Sequence, residues 1–161
     1  MIKQKIIRIA SNPDIATEQI NDAVANLDGG GVHYLGVIYP DTLLIHYNTE
    51  YSYDSSNKFK VLRIASDPDI ATEQINEAIK ALGEVNIGDV YGIYPDTVII
   101  SYYEGVNTFH VKLLRIASDP DIATDQINNA IADIYESYGT DNLYTNVLYP
   151  DTLLFLYDYD D

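Results

Sequence analysis

Three arginines and three serines recur at fixed positions, and they are the side chains best suited to chemistry. In the first copy Arg8 precedes Ser11 by three residues, and a helix-start signal, Asn12-Pro13-Asp14, follows at once. An arginine, a hydroxyl and a helix N-terminus together can bind a phosphate or a carboxylate. The spacing therefore raises the possibility of an anion site in triplicate. Its members are Arg8, Ser11, Arg63, Ser66, Arg115 and Ser118.

Charge compensation is the alternative for these arginines, and we favour it. Each arginine would pair with a nearby carboxylate, such as Asp14 or Asp41, because a guanidinium group suits partly buried bidentate pairs. The aspartate at the helix start also competes with a bound anion, since it already lies at the positive end of the helix dipole.

The residues needed for enzyme chemistry are missing or do not repeat. A catalytic serine needs a base within hydrogen-bond reach, yet His33, His46 and His110 fall at different points of the three copies. The chain has no cysteine, which excludes thiol nucleophiles and thiolate metal sites. It has no HExxH, Walker-type or GxGxxG motif, and its Asp-Pro-Asp runs lack the glycine and closing glutamate of a calcium loop. We therefore expect a non-enzymatic protein without catalytic residues, metal or cofactor.

The candidate residues belong to a block that occurs three times. Residues 8–21 recur at 63–76 and at 115–128, and twelve of the fourteen positions are identical in all copies. Repetition at this period is the signature of a repeat architecture. A second block, Tyr-Pro-Asp-Thr, follows each copy, at 39–42, 94–97 and 149–152.

Each unit is predicted to form a strand, a helix and two further strands. Aliphatic and β-branched residues predict the first strand, Asn or Asp before proline predicts the helix start, and a glycine follows each helix. Tyr-Pro-Asp-Thr suits a type I turn between the last two strands. The predicted strands cover 2–10, 33–39 and 42–48, then 57–65, 89–94 and 97–103, then 109–117, 143–149 and 152–158. The helices run from the prolines to about Leu27, Leu82 and Ser137, and end near Gly29, Gly83 and Gly139.

The predicted fold class is α+β, with three tandem β-α-β-β repeats. One helix on a three-stranded sheet buries little surface, so we expect the units to share a core in a pseudo-threefold arrangement, a single-chain pseudo-trimer. Three separate units joined by linkers are the alternative. The predicted units are 1–55, 56–107 and 108–161, and the last ends in an acidic segment.

The return strands distinguish two faces of each sheet. Leu43, Ile45 and Tyr47 and their equivalents form a uniformly apolar face, which we expect to pack on the helix. The opposite face, with Leu44 and His46 in the first copy, is mixed in the three copies. It is predicted to be partly covered or to form an interface.

Identical residues within the block divide into two groups. The apolar members are assigned to the core, namely Ile9, Ala10, Ile15, Ala16 and Ile20. Thr17, Gln19 and Asn21 lie on the helix, where packing alone does not fix their type. They indicate either three equivalent contact sites or a junction that packs at the pseudo-threefold axis, where geometry requires identical residues, and we favour the packed junction. The binding alternative adds Thr17, Gln19, Thr72, Gln74, Thr124 and Gln126 to the candidate residues.

Composition narrows the possible partners. With 25 acidic and 9 basic residues among 161, the net charge is −16, which argues against direct nucleic-acid binding. The 15 tyrosines suit contact surfaces. The N-terminus lacks a signal-peptide pattern and the longest apolar runs are too short to span a bilayer, so we expect a cytoplasmic protein without membrane contact.

The function predicted from these features is a binding module that recognises or sequesters a protein or small ligand through three repeated sites. Two alternatives stay open. One is an acidic inhibitor that imitates nucleic acid and occupies the basic cleft of a DNA- or RNA-binding protein. The other is a structural assembly subunit that joins copies through strand edges.

Overall fold

Three helices and three three-stranded antiparallel sheets make up the part of the chain that the computed structural model describes. That part is 1–28, 31–50, 57–93, 95–106, 109–140, 142–148 and 151–158. The predicted α+β class and the three tandem units are confirmed. The elements are β1 (Ile2–Arg8), α1 (Pro13–Ala25), β2 (Val32–Tyr39), β3 (Thr42–Asn48), β4 (Lys58–Arg63), α2 (Pro68–Ala81), β5 (Val85–Ile93), β6 (Thr97–Glu104), β7 (Phe109–Arg115), α3 (Pro120–Tyr138), β8 (Leu143–Leu148) and β9 (Thr152–Asp158).

Each helix starts where the sequence predicts, because a side-chain cap satisfies its first free N–H groups. The Asn12 side chain accepts hydrogen bonds from the N–H groups of Asp14 (3.0 Å) and Ile15 (3.2 Å), and proline occupies the first helical position. Asp67 and Asp119 cap α2 and α3 in the same way. These caps fix where the helix begins in every unit.

The helix ends agree less closely with the prediction. Gly139 ends α3 with a φ of 58°, and Gly83, just beyond α2, has a φ of 85°, a conformation that glycine adopts without strain. Helix α1 ends at Ala25, two residues earlier than predicted. The predicted stop at Gly29 lies outside the described residues, as do residues 51–56 between the first two units.

In every sheet the return strand lies at the centre. The orders are β1-β3-β2, β4-β6-β5 and β7-β9-β8, so the predicted hairpins form and the first strand of each unit pairs with the far side of the return strand. Lys5 and Leu35 both lie opposite Ile45 in this register. The first strand is consequently an edge strand in all three sheets.

The uniformly apolar face of the return strand packs on its own helix, as predicted. In the first unit Leu43, Ile45 and Tyr47 form one buried cluster with Ala16 and Ile20 of α1. The second unit packs its equivalents on α2, and the third on α3.

The mixed face of the second and third sheets is covered by the preceding unit. The cluster around α1 also contains Phe59, Val61, Ile93 and Ile99 of the second sheet. The cluster around α2 likewise contains residues of the third sheet, namely Val111, Leu113, Leu148, Leu154 and Leu156. Each of the first two helices therefore lies between its own sheet and the next one, and neighbouring units share a core.

The units follow one another in a row, which differs from the predicted pseudo-threefold arrangement. Helix α1 contacts β4 and α2 contacts β7, whereas the cluster around α3 contains residues of the third unit alone among those described. On the first sheet Ile6 is 62% exposed, although its equivalents Val61 and Leu113 are 2% and 4% exposed. Each contact joins two different surfaces, a helix and the next edge strand, and such contacts form a ring only if the last unit meets the first. Here the cluster around α3 contains no described residue of the first sheet, so the series does not close.

None of the helices in the described part of the chain is both long enough and apolar enough to cross a bilayer.

We expect Ile75→Ala to lower the free energy of unfolding by about 2–5 kcal/mol, because Ile75 is fully buried between two sheets and its truncation leaves a cavity. The matched control is Ile127→Ala at the equivalent position of α3, which is only partly buried and should cost clearly less. Urea denaturation of the two variants measures the difference. Equal losses would contradict the row of units.

Candidate functional site: the repeated strand-to-helix junction

The three repeated arginines form ion pairs within their own units. Arg8 Nε lies 3.6 Å from Asp41 Oδ2, and the equivalent pairs Arg63–Asp96 and Arg115–Asp151 are 3.6 and 3.7 Å apart. Charge compensation through Asp41, rather than through Asp14, is therefore the arrangement observed. All six side chains are at least two-fifths exposed, so each pair adds little to stability.

At the predicted anion site, the N–H groups at the start of the helix are already occupied. The N–H groups of Asp14 and Ile15, which would face a bound anion, donate to the side chain of Asn12. Ser11 contributes its carbonyl oxygen, which accepts a hydrogen bond of 2.9 Å from Arg63 of the next unit. In the same way Arg115 donates to the Ser66 carbonyl oxygen.

A small cavity of about 100 Å³ lies beside one of these arginines, lined in part by Ser66, Arg115 and Asp151. Pockets that hold drug-sized ligands have volumes of roughly 300–1,000 Å³. This cavity is therefore too small for such a ligand, although it lies at a predicted site.

The repeated glutamines hold the junction rigid from within each unit. Gln19 Oε1 accepts a hydrogen bond of 2.7 Å from the N–H of Ala10, immediately after the first strand. The same bond, with the same length, joins Gln74 to Ala65 and Gln126 to Ala117. The glutamines thus fix the strand-to-helix turn in all three units.

The repeated threonines bond to the edge strand of the next unit. Thr17 Oγ1 donates to the Pro13 carbonyl (2.8 Å) and accepts from the N–H of Val61 on β4 (2.9 Å). Thr72 repeats both contacts and accepts from Leu113 on β7 at 2.9 Å.

The repeated asparagines make the most specific contact between units. Asn21 accepts from the N–H of Phe59 at 2.8 Å and donates to the carbonyl of the same residue at 2.9 Å. Asn76 forms the same pair of bonds with Val111, both at 2.9 Å. A primary amide carries one donor and one acceptor side by side, so it can satisfy both groups of an edge-strand residue. The sequence indicated that packing alone does not fix the residue type of Asn21, but it did not predict this contact with an edge strand.

The third copy of this contact does not form among the described residues, where α3 packs on its own sheet. Thr124 donates to the Pro120 carbonyl at 2.7 Å, and the side chain of Asn128 has no hydrogen-bond partner among the described residues. Both side chains are exposed, whereas their equivalents in α1 and α2 are partly buried. The candidate residues Thr124 and Gln126 therefore have different environments, one open and one engaged in the junction.

One assignment to the core is wrong. Ile15 and its equivalents Ile70 and Ile122 are 49%, 51% and 54% exposed. Residues on either side of each isoleucine along the helix, Asp14 and Glu18 in the first unit, are exposed carboxylates. The isoleucine thus lies on the surface in all three units, so burial in the core does not explain why the residue is identical in the three copies.

Among the described residues, the pKa values of Tyr91 and Asp158 are displaced. The pKa of Tyr91 is raised to about 12, first by burial and then by the negative charge of Asp89. The pKa of Asp158 is lowered by hydrogen bonds from the side chains of Asn142 and Thr140. Tyr91 packs against the core cluster shared by the first two units, so its displacement reflects structure rather than a proton-transfer site.

In the described ranges, no group of three or more His, Asp or Glu side chains is placed so that it could hold a metal ion.

Comparison of the chain with protein-family models, with curated proteins and with solved structures yields no match.

We expect Asn76→Ala to lower the free energy of unfolding by about 1–3 kcal/mol, because it leaves the N–H and carbonyl of Val111 without their partner. Asn128→Ala at the equivalent exposed position should change it by less than about 0.5 kcal/mol. Urea denaturation at low protein concentration compares the two. A large loss for Asn128→Ala would show that the third helix also packs on another unit of its own chain.

We expect alkaline pH to weaken the packing around Tyr91. Its pKa is raised from 10.0 to about 12, so the folded state resists its ionisation, and the stability it contributes is complete below pH 10 and is lost as the pH rises towards 12. The free energy of unfolding of Tyr91→Phe should therefore fall less steeply across this range than that of the wild type. Parallel slopes in the two proteins would contradict the buried, neutral phenol.

Proposed function

We propose that this chain is a non-enzymatic binding module that holds a protein partner against three equivalent surfaces. Each surface is centred on an exposed isoleucine, Ile15, Ile70 or Ile122. The observation that carries the proposal is that the same large apolar residue recurs at an exposed position in every unit.

Single exposed apolar residues are common on protein surfaces and need no explanation. Here the comparison between units adds the argument. Asp22, Glu77 and Asn129 occupy equivalent exposed positions one to two helical turns later and differ in type, so an exposed position on these helices is free to vary. The isoleucine does not vary, and a contact outside the chain accounts for it.

The charge around these surfaces indicates the chemistry of the partner. Each isoleucine is flanked along its helix by two exposed carboxylates, Asp14 and Glu18 in the first unit, and the chain carries a net charge of −16. A complementary surface combines an apolar patch with lysine or arginine side chains around it. The negative field would also accelerate the encounter with such a partner, and salt would slow it.

Repetition gives the proposed binding its strength. The contact between units is the same each time, so the three isoleucines recur once per unit along the row. A partner that contacts two or three of them at once binds more tightly than one surface allows, because later contacts form within the complex.

A nucleic-acid mimic and a small-ligand binder have less support than a protein-binding module. A nucleic-acid mimic requires an array of free carboxylates, but Asp41, Asp96 and Asp151 are paired with arginines. For a small-ligand binder, the cavity at Arg115 is too small, although a larger cavity of about 560 Å³ borders Thr72 and Asn76. The assembly function is supported by a separate observation, the open ends of the row.

The proposal predicts that a protein captured by this chain from an extract of its source cells depends on the three isoleucines. The wild type and the triple variant Ile15→Ser, Ile70→Ser, Ile122→Ser are immobilised side by side, and bound proteins are quantified by mass spectrometry. We expect a basic protein that the wild type retains and the triple variant loses, with intermediate retention by the single variants.

A matched control removes exposed apolar side chains elsewhere. Val106→Ser with Val147→Ser makes the same kind of change at two exposed positions and should retain the partner fully. Equal capture by the wild type and the triple variant, or loss with the control alone, would overturn the proposal.

A further inference from the structure

The contact that joins consecutive units has one unused half at each end of the row. A helix from one unit bonds to the edge strand of the next, from α1 to β4 and from α2 to β7. Among the described residues, no helix covers the edge of β1 and no edge strand packs on α3 in this way. Both halves are still present in the sequence, and Asp121, which flanks Ile122, is the one residue that they share with the binding surfaces proposed above.

The unused receiving half lies on the first sheet, and we call it the head surface. It consists of Gln4, Ile6, Ile38 and Leu44. Ile6 and Ile38 are exposed, whereas their equivalents in the second and third sheets are buried. By equivalence with Phe59 and Val61, the N–H groups of Gln4 and Ile6 point away from the sheet at the open edge.

The unused donating half lies on α3, and we call it the tail surface. It consists of Asp121, Thr124, Ile127 and Asn128, which are equivalent to Asp14, Thr17, Ile20 and Asn21 of α1. Thr124 and Asn128 are exposed, and Ile127 is partly exposed, although Ile20 is completely buried. The tail therefore keeps every residue type that makes the contact in α1.

We propose that the tail surface of one copy of this chain docks on the head surface of a second copy and repeats the internal contact. Thr124 then accepts from the N–H of Ile6, and Asn128 bonds to both the N–H and the carbonyl of Gln4. An exposed strand edge is a ready template for such pairing. The interface would continue an arrangement that the chain already forms twice.

Charges at the two surfaces are complementary even though the chain as a whole is acidic. Across the first internal contact Lys60 Nζ lies 3.6 Å from Asp14 Oδ1. The equivalent residues at the two ends are Lys5, beside the head surface, and Asp121 of the tail surface. The side chain of Arg8 is 82% exposed, against 55% for Arg63 and 51% for Arg115. Arg8 is thus open to donate to the Ser118 carbonyl of another copy, as Arg63 does to Ser11.

The head surface is more polar than its internal equivalents. Gln4 stands where Phe59 and Val111 stand in the other units, and the Gln4 amide lies 3.4 Å from the ring of His46, which stacks on Tyr34 at 4.6 Å. Because net charge also repels the copies, we expect a reversible association that needs high concentration. The surfaces differ, so each copy can bind one neighbour at each end.

Sedimentation velocity between about 1 µM and about 1 mM tests the association, since dissociation constants in this range correspond to weak reversible contacts. It is run at an ionic strength of about 0.15 M to screen the net charge. We expect species at multiples of the 18.0 kDa chain that grow with concentration. A monomer at every concentration would overturn the proposal.

Blocking one end at a time shows which surfaces meet. Ile6→Lys blocks the head and Asn128→Lys blocks the tail, both at exposed positions, and each variant alone should be monomeric. Mixed together they should form a dimer and nothing larger, because one intact head meets one intact tail. Association of either variant alone, or no dimer in the mixture, would contradict a head-to-tail contact.

Two further variants keep the experiment decisive. Val106→Lys adds the same charge at an exposed position outside both ends and should associate as the wild type does. If Asn128→Lys fails to fold by circular dichroism, Thr124→Val replaces it as the tail variant and should weaken association by at least about tenfold, which corresponds to about 1.4 kcal/mol. Unchanged association of a folded Thr124→Val would count against the proposal.

Discussion

The structure depends on one interaction, the pair of hydrogen bonds between a helix asparagine and the backbone of the next edge strand. Asn21 satisfies both polar groups of Phe59, and Asn76 does the same for Val111. An open edge exposes unpaired N–H and carbonyl groups that invite pairing with other chains. Here a helix of the preceding unit covers that edge with side chains of matching polarity, and the threonine one turn earlier adds a third bond.

This interaction determines how the units are arranged. Because a helix of one unit contacts an edge strand of the next, the donating and receiving surfaces are different, and the order of units in space follows their order in the chain. Apolar packing then completes the contact, since α1 and α2 each contribute to a cluster that includes two sheets. The row resembles a short repeat protein in which each unit depends on its neighbours, with its two ends left open.

Much of the fold could be predicted from single units. Local signals decide it: Asn12-Pro13 sets the helix start, and the alternation of Leu43 and Ile45 identifies the face that meets the helix. The relative placement of the units could not be predicted in the same way. No local sequence signal distinguishes a helix that packs only on its own sheet from one that also bonds to the next sheet. The expected pseudo-threefold arrangement was therefore wrong, and so was the assignment of Ile15 to the core. Both errors became visible only from the contacts in the structure.

The residues of the candidate site also differ in how far the sequence predicted their roles. Arginine pairing with Asp41 was among the predicted alternatives, since both residues lie near the ends of adjacent strands. The role of Asn21 required knowledge of which strand edge would be open beside it. Its identity in all three copies was a signal that a specific contact existed, but the sequence did not show whether that contact lay inside or outside the chain.

Amide hydrogen exchange at low protein concentration tests the central claim most directly. If helix side chains cover the edges of the second and third sheets, the amides of Phe59, Val61, Val111 and Leu113 exchange slowly, as amides held in stable hydrogen bonds do. The amides of Gln4 and Ile6, at the same positions of the uncovered first sheet, then exchange fast. Equal exchange at all three edges would contradict this account.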